Sequence, residues 1–249
     1  MEVHHHPHLP HGKKKFKDYF LEFLMIFLAV TMGFLAESLR EHMSDKEKET
    51  GYIESLVKNL KEDTVNISAA ITENKTKLQK LIALEGYTAK DFADTAKRIE
   101  IYKLQSFAIG FYSEFKSSDA TMQQLKNSGG LQYIQKDHVA DSIVNYDNEI
   151  KIIYAAENLY VSASDVAILA TDDIFDKTVY YDTAYVKNGG FTGKAPPLLS
   201  TDPIKIKQVM NRVDYEIGAT RNYIYNLELR LPVAERLIAY LQKEYGLGE

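Results

Sequence analysis

Residues 23–36 read FLMIFLAVTMGFLA, fourteen uncharged positions in succession. The wider stretch 19–39 is nearly as apolar, and as a helix it would be about 31 Å long at 1.5 Å per residue. That length matches the hydrocarbon core of a bilayer, which is about 30 Å thick. The sequence therefore predicts a transmembrane helix, which we place at residues 16–42.

A basic start and a short apolar core are also typical of a cleaved signal peptide. However, the helical pattern continues through residues 38–42 without a turn residue, which favours an uncleaved anchor. Four lysines, at positions 13, 14, 15 and 17, precede the apolar stretch, and Lys and Arg accumulate on the cytoplasmic side of a membrane. We therefore expect a His- and Lys-rich cytoplasmic tail at residues 1–15 and an extracytoplasmic domain at residues 43–249.

Polar and small residues within the span have two interpretations. Inside an oligomer, Glu22 and Glu37 could bind cations or relay protons, whereas near the headgroups they are simply hydrated. Ala29, Gly33 and Ala36 are small residues at near-helical spacing, which allows close approach of a second helix in lipid. These five positions are candidate sites for ion handling and for helix packing.

The N-terminal tail is rich in histidine, a good ligand for zinc, copper or nickel. The candidate metal ligands are His4, His5, His6, His8 and His11. A disordered terminus whose histidines have no partner, or a purification tag, accounts for the same composition. No nearby carboxylate cluster completes a metal site.

Beyond the span, apolar residues recur at alternating steps of four and three, the period of coiled coils and long helical bundles. One stripe runs from Ile53 to Leu81, with polar Thr64 and Asn74 within it, and the longest runs from Ile206 to Tyr245. We predict an all-α fold, in which one N-terminal transmembrane helix is followed by an elongated bundle of long, heptad-patterned helices. Residues 177–201 are predicted as an irregular loop, in which 178–186 could form a short strand.

Composition excludes several classes of protein. The net charge of −5 argues against nucleic-acid binding, and the absence of cysteine excludes disulfides and thiolate-bound metals. No catalytic or nucleotide-binding motif is present, and Asp172, Asp173 and Asp176 lack the glycine and glutamate of a calcium loop. We therefore expect neither an enzyme nor a cofactor.

The opening MEVHHHPH and residues 13–42, KKKFKDYFLEFLMIFLAVTMGFLAESLREH, resemble the N-termini of single-pass membrane proteins of Bacteroidetes that carry a domain of unknown function. Residues 118–131, SDATMQQLKNSGGL, are similar to a later segment of the same family. The resemblance implies that the histidines are native. It also implies an inner-membrane anchor and a periplasmic C-terminal domain, and it carries no activity.

Three functional hypotheses follow. The leading one is an interaction, scaffold or accessory subunit that contacts the lipid bilayer and either forms a homo-oligomer or binds an envelope protein. The second is a periplasmic ligand-sensing module that works through a partner. The third is an oligomeric channel or transporter subunit that uses Glu22 and Glu37.

Overall fold

The computed structural model describes residues 15–188, 190–191 and 195–248. The chain divides into two compact units, with the boundary between Gly51 and Tyr52. The α-helices are α1 (Phe16–Glu85), α2 (Ala89–Ala93), α3 (Thr95–Ala108), α4 (Ala120–Asn127), α5 (Asp137–Thr171), α6 (Thr183–Asn188) and α7 (Pro203–Tyr245). Because the described residues form no strand, the predicted all-α class is confirmed.

The first unit contains the N-terminal part of α1, and there the predicted long apolar helix is confirmed. Its most apolar stretch is long enough to cross a membrane, and none of that stretch is buried in the protein. Phe23, Ile26 and Phe34 all expose more than half of their surface. Helix α5 passes the same test of length and composition, but a third of its apolar stretch is buried in the second unit.

The second unit is built on the heptad stripes that the sequence predicts. In α1, Ile53, Leu60, Ile67 and Leu81 are fully buried or nearly so. In α7 the stripe begins after Asp202, whose carboxylate accepts a hydrogen bond from the Ile204 amide at 2.9 Å. That bond satisfies one of the free amides at the helix start, as expected of an N-terminal cap.

Two apolar clusters fill the second unit. The first joins α1, α5 and the C-terminal half of α7 around Leu60, Ile153 and Leu227. The second gathers Leu84, Phe175 and residues from the N-terminal part of α7. Between the clusters along the helices lies a layer of buried polar side chains, which consists of Asn74, Lys77, Ser164, Glu216 and Thr220.

The structure corrects two expectations. Residues 177–201 are not wholly irregular, because a 3₁₀-helix occupies Lys177–Tyr181 and α6 follows it. The strand predicted at 178–186 is therefore wrong, since these residues form helical turns. Asp176 starts the 3₁₀-helix by accepting from the Thr178 amide at 3.0 Å, a local bond that favours a turn over an extended strand.

Candidate functional site

Residues 109–119 form an extended segment, here called the strap, that passes between the long helices without joining a sheet. From Ser113 to Lys116 its side chains alternate, so that Ser113 and Phe115 are buried while Glu114 and Lys116 are exposed. A buried extended backbone needs hydrogen-bond partners. In the strap, side chains of three helices supply them.

Helix α1 provides four of these side chains. From donor to acceptor, the bonds are Lys77 Nζ to Phe111 O (2.8 Å), Asn74 Nδ2 to Ser113 O (2.8 Å), Asn66 Nδ2 to Lys116 O (2.9 Å) and the Ser118 amide to Asp63 Oδ1 (2.6 Å). The polar Asn74 within the predicted stripe is therefore buried and bonded to the strap, rather than exposed at a loosely packed end.

Helices α5 and α7 bind the centre of the strap from the other side. The Phe115 amide donates to both Glu157 Oε2 and the Tyr223 hydroxyl at 2.8 Å, and that hydroxyl donates to the same carboxylate oxygen at 2.5 Å. Burial raises the pKa of Glu157, against the lowering effect of these hydrogen bonds. The Tyr160 ring stacks on the Tyr223 ring with centroids 4.9 Å apart.

Lys77 and Glu216 form an ion pair in the polar layer, and both side chains are fully buried. Lys77 Nζ lies 2.8 Å from Glu216 Oε1, and it also donates to Ser164 Oγ at 3.0 Å. Burial lowers the pKa of Lys77 and raises the pKa of Glu216, while each partner's charge opposes the shift. Within the described part of the chain, Glu216 Oε2 has no hydrogen-bond partner.

A cavity of about 150 Å³ opens between α1, α4 and α5 at the end of the strap. Its apolar lining includes Leu56, Leu60, Met122 and Ile150. Asp63 also lines it, with 2% of its surface exposed, and accepts from the Tyr146 hydroxyl at 2.7 Å and from Ser117 Oγ at 3.1 Å. Burial raises the pKa of Asp63, and these bonds oppose the rise.

The mouth of the cavity carries both signs of charge. Asp147 forms ion pairs with Lys126 at 3.0 Å and with Lys151 at 2.8 Å. Burial would raise the pKa of Asp147, but the bonds from Lys151 and Lys126 outweigh it and hold the pKa below its usual value. Lys126 belongs to the segment 118–131, and five residues of that segment line the cavity.

Helix α5 carries a second heptad stripe on its exposed face, here called the outer seam. Its members follow steps of three and four and are all exposed: Ile152, Ala155, Leu159, Ser162, Val166 and Leu169. Leu159 exposes 42% of its surface and Leu169 exposes 69%. Since another face of α5 is buried against the core, this helix has apolar stripes on two faces.

The predicted residues of the span lie on the exposed surface of the first unit. Glu22, Ala29, Gly33 and Ala36 are all exposed. Glu37 is exposed as well and pairs with Arg40 one turn later, through Nη2–Oε1 and Nε–Oε2 distances of 2.5 and 2.9 Å. Glu22 and Glu37 are fifteen positions apart, about 22 Å along one helix, so a single chain does not bring them together.

The histidines predicted as metal ligands, His4, His5, His6, His8 and His11, lie outside the described residues. Within the described ranges, no group of three His, Cys, Asp or Glu side chains is placed to hold a metal ion.

Sequence reasoning missed the buried charges. Asp63, Lys77 and Glu216 each directly precede a stripe position, namely Thr64, Leu78 and Ile217. Charges beside a stripe usually extend into water along the helix surface. The available signal covered one pair only: Lys77 on α1 and Glu216 on α7 have opposite charges.

In comparisons with known proteins, no family model, curated protein or solved structure matches the chain.

Proposed function

We propose that this chain is a membrane-anchored interaction protein that self-associates through the outer seam of α5. Residues 16–42 are its anchor in a bacterial inner membrane, with the N-terminus in the cytoplasm and the helical domain in the periplasm. The outer seam is the observation that carries this proposal. A heptad stripe that is left exposed has the pattern of one half of a coiled-coil contact.

A second copy of the chain can pack on the outer seam. The seam alternates large residues with Ala155 and Ser162, so two copies can interdigitate side chains at close approach. The seam has only six positions, fewer than the roughly 20–30 residues per side of a stable interface. Such a contact is weak between free molecules, and anchoring both copies in one membrane raises their effective concentration.

The anchor supports the same association. Ala29, Gly33 and Ala36 would let two spans approach closely in lipid. A channel built on Glu22 and Glu37 gains less support, because Arg40 on the same helix already pairs with Glu37.

The test compares two leucines of matched exposure in the full-length protein, reconstituted in lipid nanodiscs. Leu159 on the outer seam exposes 42% of its surface and Leu229 on α7 exposes 45%. We expect Leu159→Lys to convert dimers to monomers and Leu229→Lys to leave them intact. Neither change removes a buried group, so the helical content of both variants should match that of the wild type.

Because the chain has no cysteine, single cysteines report the contact directly. Ala155→Cys, Leu159→Cys and Ser162→Cys should give a disulfide-linked dimer at one or more positions, while Ser106→Cys, at an exposed position of α3, should give none. A monomeric wild type with no crosslink at any seam position would refute self-association. Loss of a different co-purifying protein in Leu159→Lys would instead assign the seam to a heterologous partner.

A further inference from the structure

The cavity at the end of the strap has a negative floor. Asp63 is almost fully buried, yet it has no ion-pair partner within 4 Å among the residues that the structure describes. Asp119, a second carboxylate, also lines the cavity. Buried charges in proteins are normally paired, because an unpaired ion loses its hydration without compensation. A cationic group that contacts Asp63 would therefore be stabilised by its carboxylate.

The hydrogen bonds to Asp63 leave room for one more donor. Its Oδ2 accepts from Ser117 and Tyr146, whereas Oδ1 accepts from the Ser118 amide alone. An ionised carboxylate offers about four acceptor positions on its two oxygens. Oδ1 therefore keeps an acceptor position that the bonds from Ser117, Ser118 and Tyr146 do not use.

The mouth of the cavity has the opposite polarity. Lys126 and Lys151 share one carboxylate, Asp147, so two ammonium groups face a single negative charge. Lys151 exposes 61% of its side chain and Lys126 exposes 37%, which places both ammonium groups toward solvent. Leu56, Met122 and Ile150 supply apolar surface in the same cavity.

We propose that this cavity binds a short ω-amino acid, a molecule whose ammonium and carboxylate groups are separated by a methylene chain. The ammonium donates to Asp63, the methylenes contact Leu56 and Met122, and the carboxylate pairs with Lys126 and Lys151. A dry cavity of about 150 Å³ is known to hold benzene, so a body of about five carbon atoms fits the volume. This site goes beyond the proposed self-association and does not depend on it.

The test uses three ligands that share one carbon chain: 5-aminopentanoate, pentylamine, which lacks the carboxylate, and pentanoate, which lacks the ammonium. Binding to the full-length protein in nanodiscs is measured by titration calorimetry. We expect 5-aminopentanoate to bind about 10- to 100-fold more tightly than pentylamine, the factor typical of one charge-assisted interaction, and pentanoate not to bind. Norvaline, which places both charges on one carbon, should bind more weakly than 5-aminopentanoate.

Variants test each end of the site. Asp63→Asn should abolish binding of both amines. Lys126→Gln with Lys151→Gln should reduce the affinity for 5-aminopentanoate to that for pentylamine, while Lys243→Gln on α7, outside the cavity, should change nothing. If Asp63→Asn fails to fold, the lysine variants and the ligand series still decide the question. No binding of 5-aminopentanoate, equal binding of pentanoate, tighter binding of norvaline or full binding by Asp63→Asn would each overturn the proposal.

Discussion

Replacing Lys77 by methionine should expose the cost of a buried charge in this bundle. Methionine keeps an unbranched side chain, one atom shorter, and removes the ammonium that Glu216 and Phe111 O contact at 2.8 Å. Breaking a buried pair by removing one partner typically costs about 3–5 kcal/mol, because the remaining charge is uncompensated.

Glu216 sets an upper limit on that cost. Instead of staying charged, its carboxyl group can take up a proton, which costs about 3.7 kcal/mol at pH 7 from an ordinary pKa of about 4.3. We therefore expect Lys77→Met to lose about 4 kcal/mol of unfolding free energy at pH 7, once the lost bond to Phe111 O is included.

The pH dependence has a definite sign. In Lys77→Met the pKa of Glu216 is raised in the folded state, so folded protein holds a proton that unfolded protein has released. Stability then falls as pH rises above the unfolded pKa, by about 1.36 kcal/mol per unit. Between pH 7 and pH 5 the variant should recover about 2.7 kcal/mol relative to the wild type.

Urea unfolding of the full chain in detergent measures these differences, followed by far-ultraviolet and tyrosine circular dichroism. Lys75→Met is the matched control, since Lys75 pairs with Glu228 at the surface and its loss should cost at most about 1 kcal/mol. Lys77→Met with Glu216→Leu should recover at least half of the loss, because no buried charge remains. A loss below about 1 kcal/mol for Lys77→Met, or no recovery in the double variant, would refute the reasoning.

Two further predictions concern close packing and buried acid. A Cβ on Gly130 would lie 3.1 Å from atoms of Leu125, so Gly130→Ala should lower the unfolding free energy by about 1–3 kcal/mol. Gly218 lies in mid-helix with open space around it, so Gly218→Ala should raise the unfolding free energy by about 0.5–1 kcal/mol. Thermal unfolding of the two variants measures both changes, and equal effects would contradict the packing argument. Burial raises the pKa of Asp63, and the nearby Asp119 adds to the rise. The folded protein therefore holds a proton that the unfolded protein releases, and the unfolding free energy should fall as pH rises above about 4. Asp63→Asn should remove that slope in thermal unfolding between pH 4 and pH 7, and an unchanged slope would assign it to other groups.

The stripes were predictable because burial repeats with the helix period. Ile53, Leu60 and Leu81 are buried as the pattern requires. The same local signals do not reveal the strap, because the groups that bond its backbone lie 34 to 108 positions away along the chain.

The sequence drew attention to only one part of the candidate cavity. That part is the segment 118–131, of which five residues line the cavity. Asp63 did not stand out, because a single acidic residue beside a stripe is ordinarily exposed. The structure buries it because the strap returns a backbone amide and a serine hydroxyl from more than fifty positions further along the chain.

The strap also constrains the order in which the parts of the protein can fold. Its Phe115 amide needs the hydroxyl of Tyr223, which the ribosome adds 108 residues later. Synthesis proceeds at about 5–20 residues per second, so roughly 5–20 s pass between the synthesis of Phe115 and that of Tyr223. Phe115 and its amide therefore reach their native surroundings only after α7 has been synthesised as far as Tyr223.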